Sequence, residues 1–272
     1  MRVSGQKVPG RRMTRLWNKG PSSRLISILP LGTVNRAALP TIFNPEDLHA
    51  LEAAIQLKER YGGTVSVISM GPPQAKAVIY EAFAMGADKG ALVSDRKFGG
   101  ADVLATSYTL AQGIRKFGTF DLMICGLQTT DGDTAQVGPE IAEALHIPSV
   151  CNVRNILDVD DHAIVVDMDM PHDIERLRVS FPCLLTVQKD IFQPRLPSYL
   201  KKQATQKRDI RMFTMADMDD QDERRYGLSG SATQVQRIFP PESDKKQEMW
   251  QDTSSNALAG KMYDKIKELK FI

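Results

Sequence analysis

Cysteine is scarce in this 272-residue chain: Cys125, Cys151 and Cys183 are odd in number and far apart. That spacing excludes a disulfide framework and a CxxC metal site. With two of the three inside apolar runs, they read as reduced core residues of a cytoplasmic protein. The four histidines, His49, His146, His162 and His172, fall at no ligand spacing, so no metal is expected. An excess of one charge sign is also missing. A net charge of +2 argues against a dedicated nucleic-acid binder. No run of about twenty apolar residues exists, so no membrane span is expected, and the basic N-terminus lacks the apolar core of a signal peptide. GxGxxG after a strand, the phosphate-loop pattern GxxxxGK with Ser or Thr, GxSxG and HExxH are all absent. No residue reads as a group that makes or breaks covalent bonds, which leaves a binding or electron-carrying role.

What is present is an ordinary globular composition, 42% hydrophobic and 25% charged, enough for a sizeable core. The first forty residues are the least legible. Arg2-Val3-Ser4 is a poor strand, and Arg11, Arg12, Arg15, Lys19 and Arg24 read as a solvated basic stretch. Leu25–Leu29 reads as a strand closed by Pro30 and Gly32. Order sharpens at Asn44-Pro45-Glu46-Asp47, where an N-cap, a first-turn proline and two acids begin a helix that runs to Gly62-Gly63. A β-branched strand (64–69), a turn at Met70-Gly71-Pro72-Pro73, a helix ending at Gly86, a strand at Ala91–Ser94 and a helix from about Ala101 to Phe117 follow.

The stretch DLMICGLQTTDGDTAQVGPEIAEALH, Asp121–His146, then supplies a strand at Leu122–Cys125, a Gly- and Thr-rich loop, and a helical pattern from about Thr134. A loop of that kind before a helix N-terminus is either a phosphate cradle or an ordinary turn with Asp133 or Thr134 as N-cap. Asp131 and Asp133 fit loop-bracing roles better than acid–base or Mg²⁺ chemistry, because carboxylates beside a phosphate repel it.

The alternation over residues 44–146 predicts an α/β fold: a Rossmann-like, mostly parallel sheet with helices on both faces. Ligands of such sheets lie outside the carboxyl ends of the strands, which puts the loops Met70–Pro73, Ser94–Gly100 and Gly126–Asp133 on one edge. After Pro148, runs at Ala163–Val166, Arg176–Val179 and Cys183–Val187 read as added antiparallel strands. Arg195 to Arg211 is basic, and is either a solvated face or a docking surface for an acidic partner. Gly227–Gln247 reads as an extended C-terminal arm, and Ala257, Leu258, Met262, Ile266 and Leu269 as a last amphipathic helix that needs a surface to lie on. The expected division is an α/β domain over 1–200, with the basic segment and the arm over 201–272.

NPEDLHALEAAIQLKER, VSVISMGPPQA, AMGADKGALVSDRKFGGADVLATSYTLA and DLMICGLQTTDGDTAQVGPEIAEALHIP resemble the β subunit of electron-transfer flavoproteins. The likeness is dense from about Thr33 to Pro148 and looser through FPCLLTVQKDIFQPRLPSYLKKQA and SATQV. It implies pairing with a larger α subunit, electron carriage between flavins and partner enzymes, and an adenine nucleotide in this subunit. Matching positions are Asn44, Pro45, Asp47, Met70 and Gly71 around the adenosine. Those around the phosphates are Gly126, Gln128, Thr129, Asp131, Gly132, Asp133, Thr134, Ala135, Gln136 and Val137.

In simple carriers of the family the nucleotide is AMP. In electron-bifurcating members it is a second FAD that is reduced by NADH and divides the electrons between a partner dehydrogenase and a low-potential acceptor, ferredoxin or flavodoxin. SDRKFGGADVLATSY and SMGPPQA resemble the bifurcating subgroup, with Asp95, Arg96, Asp102, Thr106 and Ser107 available to hydrogen-bond a flavin ring. Asp102 reads equally well as a first-turn residue of its helix. Two departures stand out. The family's long opening strand and KQVPDT-like loop are reduced here to Arg2-Val3-Ser4 and QKVPG, so no site residues are carried over from that segment. Where the family presents a docking leucine, Tyr199 and Leu200 align. A reading from another class is a free-standing adenine-nucleotide sensor.

Overall fold

A computed structural model describes residues 42–130, 132–234, 249–251 and 254–271. The expectations for Arg2–Ser4, the basic stretch, Leu25–Leu29 and Asp131 lie outside these residues. Helix α1 spans Pro45–Tyr61 and stops at Gly62, whose φ of 84° suits glycine and whose N–H donates to the Lys58 carbonyl.

Strand β1 (Ser66–Met70) pairs in parallel with β2 (Lys89–Val93), from Ser66 opposite Lys89 to Met70 opposite Val93. Helix α2 (Lys76–Met85) makes the crossover between them, and α3 (Val103–Phe117) leads from β2 to β3 (Leu122–Gly126). Helix α4 (Val137–Leu145) follows, then β4 (Ser149–Val159), β5 (Ala163–Asp169), β6 (Ile174–Ser180), β7 (Cys183–Val187), α5 (Tyr199–Thr205) and β8 (Arg211–Phe213). The strands form two sheets, β1-β2-β8, all parallel, and β3-β7-β4-β5-β6, in which β5 and β6 are antiparallel additions.

Alternate strand residues face opposite helical layers, as the period of two requires. Val67 and Leu92 pack with Leu51, Ile79 and Phe83 of α1 and α2. Ile68 and Met70 turn the other way, onto a cluster with Leu110 and Ile114 of α3 and Ile141 of α4. Each such buried side chain contributes roughly 1.5–3 kcal/mol. Helix α1 ties the two sheets together: Leu51 and Ile55 belong to the first cluster, while Ala50 packs with Val150 and Leu185 of the second sheet.

The expected α/β class with parallel strands and two helical layers is what the chain forms, with two corrections to its strands. Cys183–Val187 is not antiparallel: it pairs in parallel with β3 and β4, and all five of its residues are buried. A strand enclosed on both faces loses the alternation that separates one arrangement from the other. Strand β4 was not foreseen. Register shifts between Val153 and Asn155 and between Ile156 and Asp158, and a left-handed Asn152 (φ 55°), break its pattern. The expected boundary at 200 falls inside α5, and the chain returns to the sheet as β8. The described residues 42–234 form one compact unit and 249–271 a second.

In the second unit, helix α6 (Ser255–Glu268) starts at Ser254, whose side chain accepts the Ala257 N–H. None of its residues is buried, and Met262, Tyr263, Leu269 and Phe271 are exposed. Among the described residues no helix is long and apolar enough to cross a membrane.

Candidate functional site

Strands β1, β2 and β3 end at Met70, Val93 and Gly126, and Met70, Cys125 and Val137 share one apolar cluster with α3 and α4. The three loops singled out by the sequence thus follow the carboxyl ends of parallel strands in two sheets joined by one apolar cluster, the end at which open α/β sheets bind ligands.

At the β1–β2 end lies a pocket of about 210 Å³. Its walls are the Met70–Pro72 turn, Val93, the loop from Asp95 through Ala101, and Thr106. Of the expected residues it gathers Met70, Gly71, Asp95, Arg96 and Thr106, but not Asp102. Thr106 is only 1% exposed, and among the described residues its Oγ1 has no hydrogen-bond partner, nor has the buried Oγ of Ser69 near the end of β1. An unsatisfied buried hydroxyl costs roughly 1–3 kcal/mol, which a polar ligand atom beside the pocket-lining Thr106 would offset.

The two aspartates brace the pocket. Asp95 accepts the Lys97 and Met215 N–H groups, each at 3.0 Å. The Lys97 bond is the main reason its carboxyl sits below its ordinary pKa. Asp102 is the N-cap of α3, accepting the Ala105 N–H at 3.1 Å. Its other oxygen accepts from Thr233. Burial pushes the Asp102 carboxyl up, but these N–H donors outweigh it and hold the group low.

At the β3 end the loop is pinned to the start of α1. Asp47, 3% exposed, accepts the Gly126 N–H at 2.9 Å and the Asn44 amide at 3.0 Å. Asn44 also donates to the Gln128 carbonyl at 2.9 Å, and does not cap α1 as its position suggested. A Cβ on Gly126 would lie 2.6 Å from the Glu46 carbonyl carbon, so only glycine permits this approach. Pro45 is exposed at the first turn. Glu46, read from the sequence as a first-turn acid in the matching stretch Asn44 to Asp47, also faces this loop, and burial raises its carboxyl above the ordinary value against an opposing bond from Gln128.

Beyond Gln128, Thr129 accepts the Gly132 N–H through its hydroxyl and the Asp133 N–H through its carbonyl. Asp133 and Ala135 are left-handed, at φ 54° and 55°, around Thr134. Non-glycine residues in that region concentrate where the chain serves a site. They also delay the helix: α4 begins at Val137, not near Thr134, and neither Asp133 nor Thr134 caps it. The residue at the cap position is Gln136, whose side chain makes no capping bond. Among the described residues no side chain accepts the Val137 and Gly138 N–H groups at the positive end of the helix dipole, Pro139 having no N–H to offer. Ser107, expected near a ligand, donates to Glu140 at 2.9 Å and pins α4 to α3.

Burial pushes the thiols of Cys125 and Cys183 up to about 12 and about 11, which leaves both inert as nucleophiles near neutral pH. On the far side of α1, Arg195 holds Glu52 at 2.8 Å and Glu59 at 2.5 Å. The chain after it exposes Tyr199, Leu200 and, at 88%, Leu196. Leu196 was not singled out in the sequence. Its signal was an apolar residue wedged between Arg195 and Pro197 in a basic stretch.

Residues 31–218 match the family model described as the electron transfer flavoprotein domain. The chain is 42% identical over 253 residues to an electron transfer flavoprotein subunit beta of Clostridium acetobutylicum, covering 93% of this chain and 96% of the relative. It is 42% identical over 254 residues to the caffeyl-CoA reductase-Etf complex subunit CarD of Acetobacterium woodii, with the same two coverages. Protein FixA of Azorhizobium caulinodans is 36% identical over 253 residues, 90% of each chain. With a family model over more than half its length and relatives matched nearly end to end, this chain belongs to the electron transfer flavoprotein family, among its β subunits.

Proposed function

We propose that this β subunit pairs with an α subunit, binds FAD along the carboxyl edge of its sheet, and takes part in electron bifurcation. Electrons from NADH pass to a partner dehydrogenase and to ferredoxin or flavodoxin. The observation that carries the FAD reading is that the edge offers two separate grips. One is the pocket with the unpartnered Thr106 hydroxyl and the Gly99–Gly100 wall. The other is the β3 loop with the side-chain-free start of α4. Either nucleotide could reach both grips, but only FAD would bring an isoalloxazine against the Gly99–Gly100 wall beside Asp95 and Arg96.

The residues fit such a group. Gly126 to Val137, with the first-turn N–H groups of α4, would hold the pyrophosphate. Gly99, Gly100 and Thr106 would meet a flat ring system, which glycine lets approach closely. A bound flavin supplies one- and two-electron redox chemistry. The chain's own part is to hold and orient it, with Arg96, which makes no ion pair among the described residues, and the braced Asp95 setting the charge beside it. The exposed Leu196, Tyr199 and Leu200 would form the dehydrogenase contact, and the exposed apolar side chains of α6 would lie on the α subunit. Three free cysteines suit a cytoplasmic setting.

Mass spectrometry of ligands released from the purified heterodimer tests the reading. Two FAD per heterodimer is the expected result. One FAD with one AMP would make the protein a simple electron carrier of the same family.

A further inference from the structure

The wall of the pocket at the β1–β2 end is held by more than the local bonds of its own turn. Its outer side is covered by a strap, residues 227–234, that follows Tyr226. Tyr226 is 1% exposed, its ring lies 5.6 Å from that of Phe98, and its hydroxyl donates to the Asp220 carbonyl at 2.7 Å. From this anchor the strap runs backbone to backbone along the wall. Gly227 is left-handed at φ 55°, and a Cβ on it would overlap the Lys97 carbonyl oxygen. The Leu228 N–H donates to the Gly99 carbonyl at 3.1 Å.

The strap then closes on Asp102. The Ser231 hydroxyl donates to the Gly227 carbonyl at 2.8 Å and accepts the Asp102 N–H at 2.9 Å. One oxygen of Asp102 takes both the Thr233 N–H, at 2.8 Å, and the Thr233 hydroxyl, at 3.0 Å, while the other caps α3. One carboxylate therefore joins the far end of the pocket wall, the helix that carries Thr106, and a segment 131 residues later in the chain.

We propose that Asp102, Ser231 and Thr233 are positioning residues that clasp the Asp95–Ala101 wall shut over the ligand, so that release of the nucleotide requires the clasp to open. The proposal rests on the pocket belonging to the nucleotide, as argued above. It replaces the expected role of Asp102 as a direct ligand of the cofactor. It also turns part of the expected C-terminal arm into a component of the site.

The sign of one substitution separates the clasp from plain electrostatics. Removing a negative charge beside an anionic ligand would slow its release, whereas breaking the clasp speeds it. In Asp102→Asn one oxygen can still cap α3, but an amide N–H₂ then faces the two Thr233 donors. The experiment loads the purified heterodimer with FAD, or with AMP if that is what it carries, and follows exchange against labelled nucleotide. The thermal midpoint of the nucleotide-free heterodimer is recorded in parallel. Asp102→Asn and Thr233→Val are expected to speed release about tenfold, the size of one charge-assisted hydrogen bond lost. Thr233→Ser, which keeps both donors, is expected to restore the original rate, with the nucleotide-free midpoint little changed.

Thr106→Val, isosteric and lining the pocket itself, is the control for the underlying reading. Faster release in Thr106→Val with unchanged release in Asp102→Asn and Thr233→Val would overturn the clasp and leave the pocket standing. Unchanged release in all three would remove both. A lowered midpoint with unchanged release in Asp102→Asn would reduce that residue to a helix cap and overturn the proposal.

Discussion

Replacing Asp47 by alanine takes away the acceptor of two buried donors, the Gly126 N–H at 2.9 Å and the Asn44 amide at 3.0 Å. Hydrogen bonds to a charged group contribute roughly 1.5–3 kcal/mol each. The two share one carboxylate and will not add fully, and alanine also relieves the cost of burying a charge, so about 3 kcal/mol is expected for the pair. In a unit of this size 1 kcal/mol moves the thermal midpoint by roughly 2–4 °C, giving a fall of about 6–12 °C for Asp47→Ala. Asp47→Asn should cost about 1 kcal/mol, because the side-chain oxygen still serves Gly126 while Asn44 loses one partner. Both variants should also lose bound nucleotide, since the loop they release starts the β3 grip. Calorimetric unfolding of the purified heterodimer with its nucleotide content read in parallel is the assay. A midpoint for Asp47→Ala within 1 °C of the parent, or equal losses for both variants, would refute the reasoning.

Gly138→Ala should cost about 1–3 kcal/mol by overpacking, since its Cβ would lie 2.6 Å from Thr186 Cγ2 and 2.9 Å from the Cys125 sulfur; chemical denaturation measures it. Arg195→Ala leaves the Glu52 carboxylate, 3% exposed, without its partner, a loss near the low end of the roughly 3–5 kcal/mol for breaking a buried pair. Burial pushes Glu52 up, but its bonds from Arg195 prevail and its folded pKa lies below the usual value. The stability it supplies is therefore present above the unfolded pKa and fades as pH falls through the lower folded one. Thermal melts from pH 7 to pH 3 should show the gap between parent and Arg195→Ala narrowing on the acid side. Leu196→Glu should slow electron transfer to the partner dehydrogenase at least about tenfold, as loss of a docking anchor does, with no change in the melting midpoint; steady-state kinetics with the partner at varied concentration reads it.

Much of the chain between residues 44 and 146 was legible because each element announces itself locally. Pro45 with Glu46 and Asp47 starts α1, Gly62 ends it, and the β-branched run at Val65–Ile68 and the apolar run at Leu122–Cys125 need only their own residues to read as strands. Legibility fell where the deciding contacts are distant. Cys183–Val187 carries no mark of parallel pairing, which is set by β3 and β4 on either side of it. Asn44 sits at a helix start, yet its amide is spent on Gln128, 84 residues away. Asp102 looked like a flavin ligand or a cap, and Thr233 decides how its second oxygen is used. The two left-handed residues that move the start of α4 to Val137 have no glycine to betray them.

By itself the sequence determined the fold class and the family, and it singled out the loops proposed here as the site, because periodicity, turn chemistry and motif spacing are written along the chain. Tertiary structure alone decided which polar groups are free to meet a ligand. That is a matter of accounting among groups far apart in sequence: Asp47, Asp95 and Asp102 are spent on backbone donors, while Thr106 and the first turn of α4 are left unspent. A carboxylate's role follows from who reaches it first, and only the folded chain brings Gly126, Met215 and Thr233 within reach.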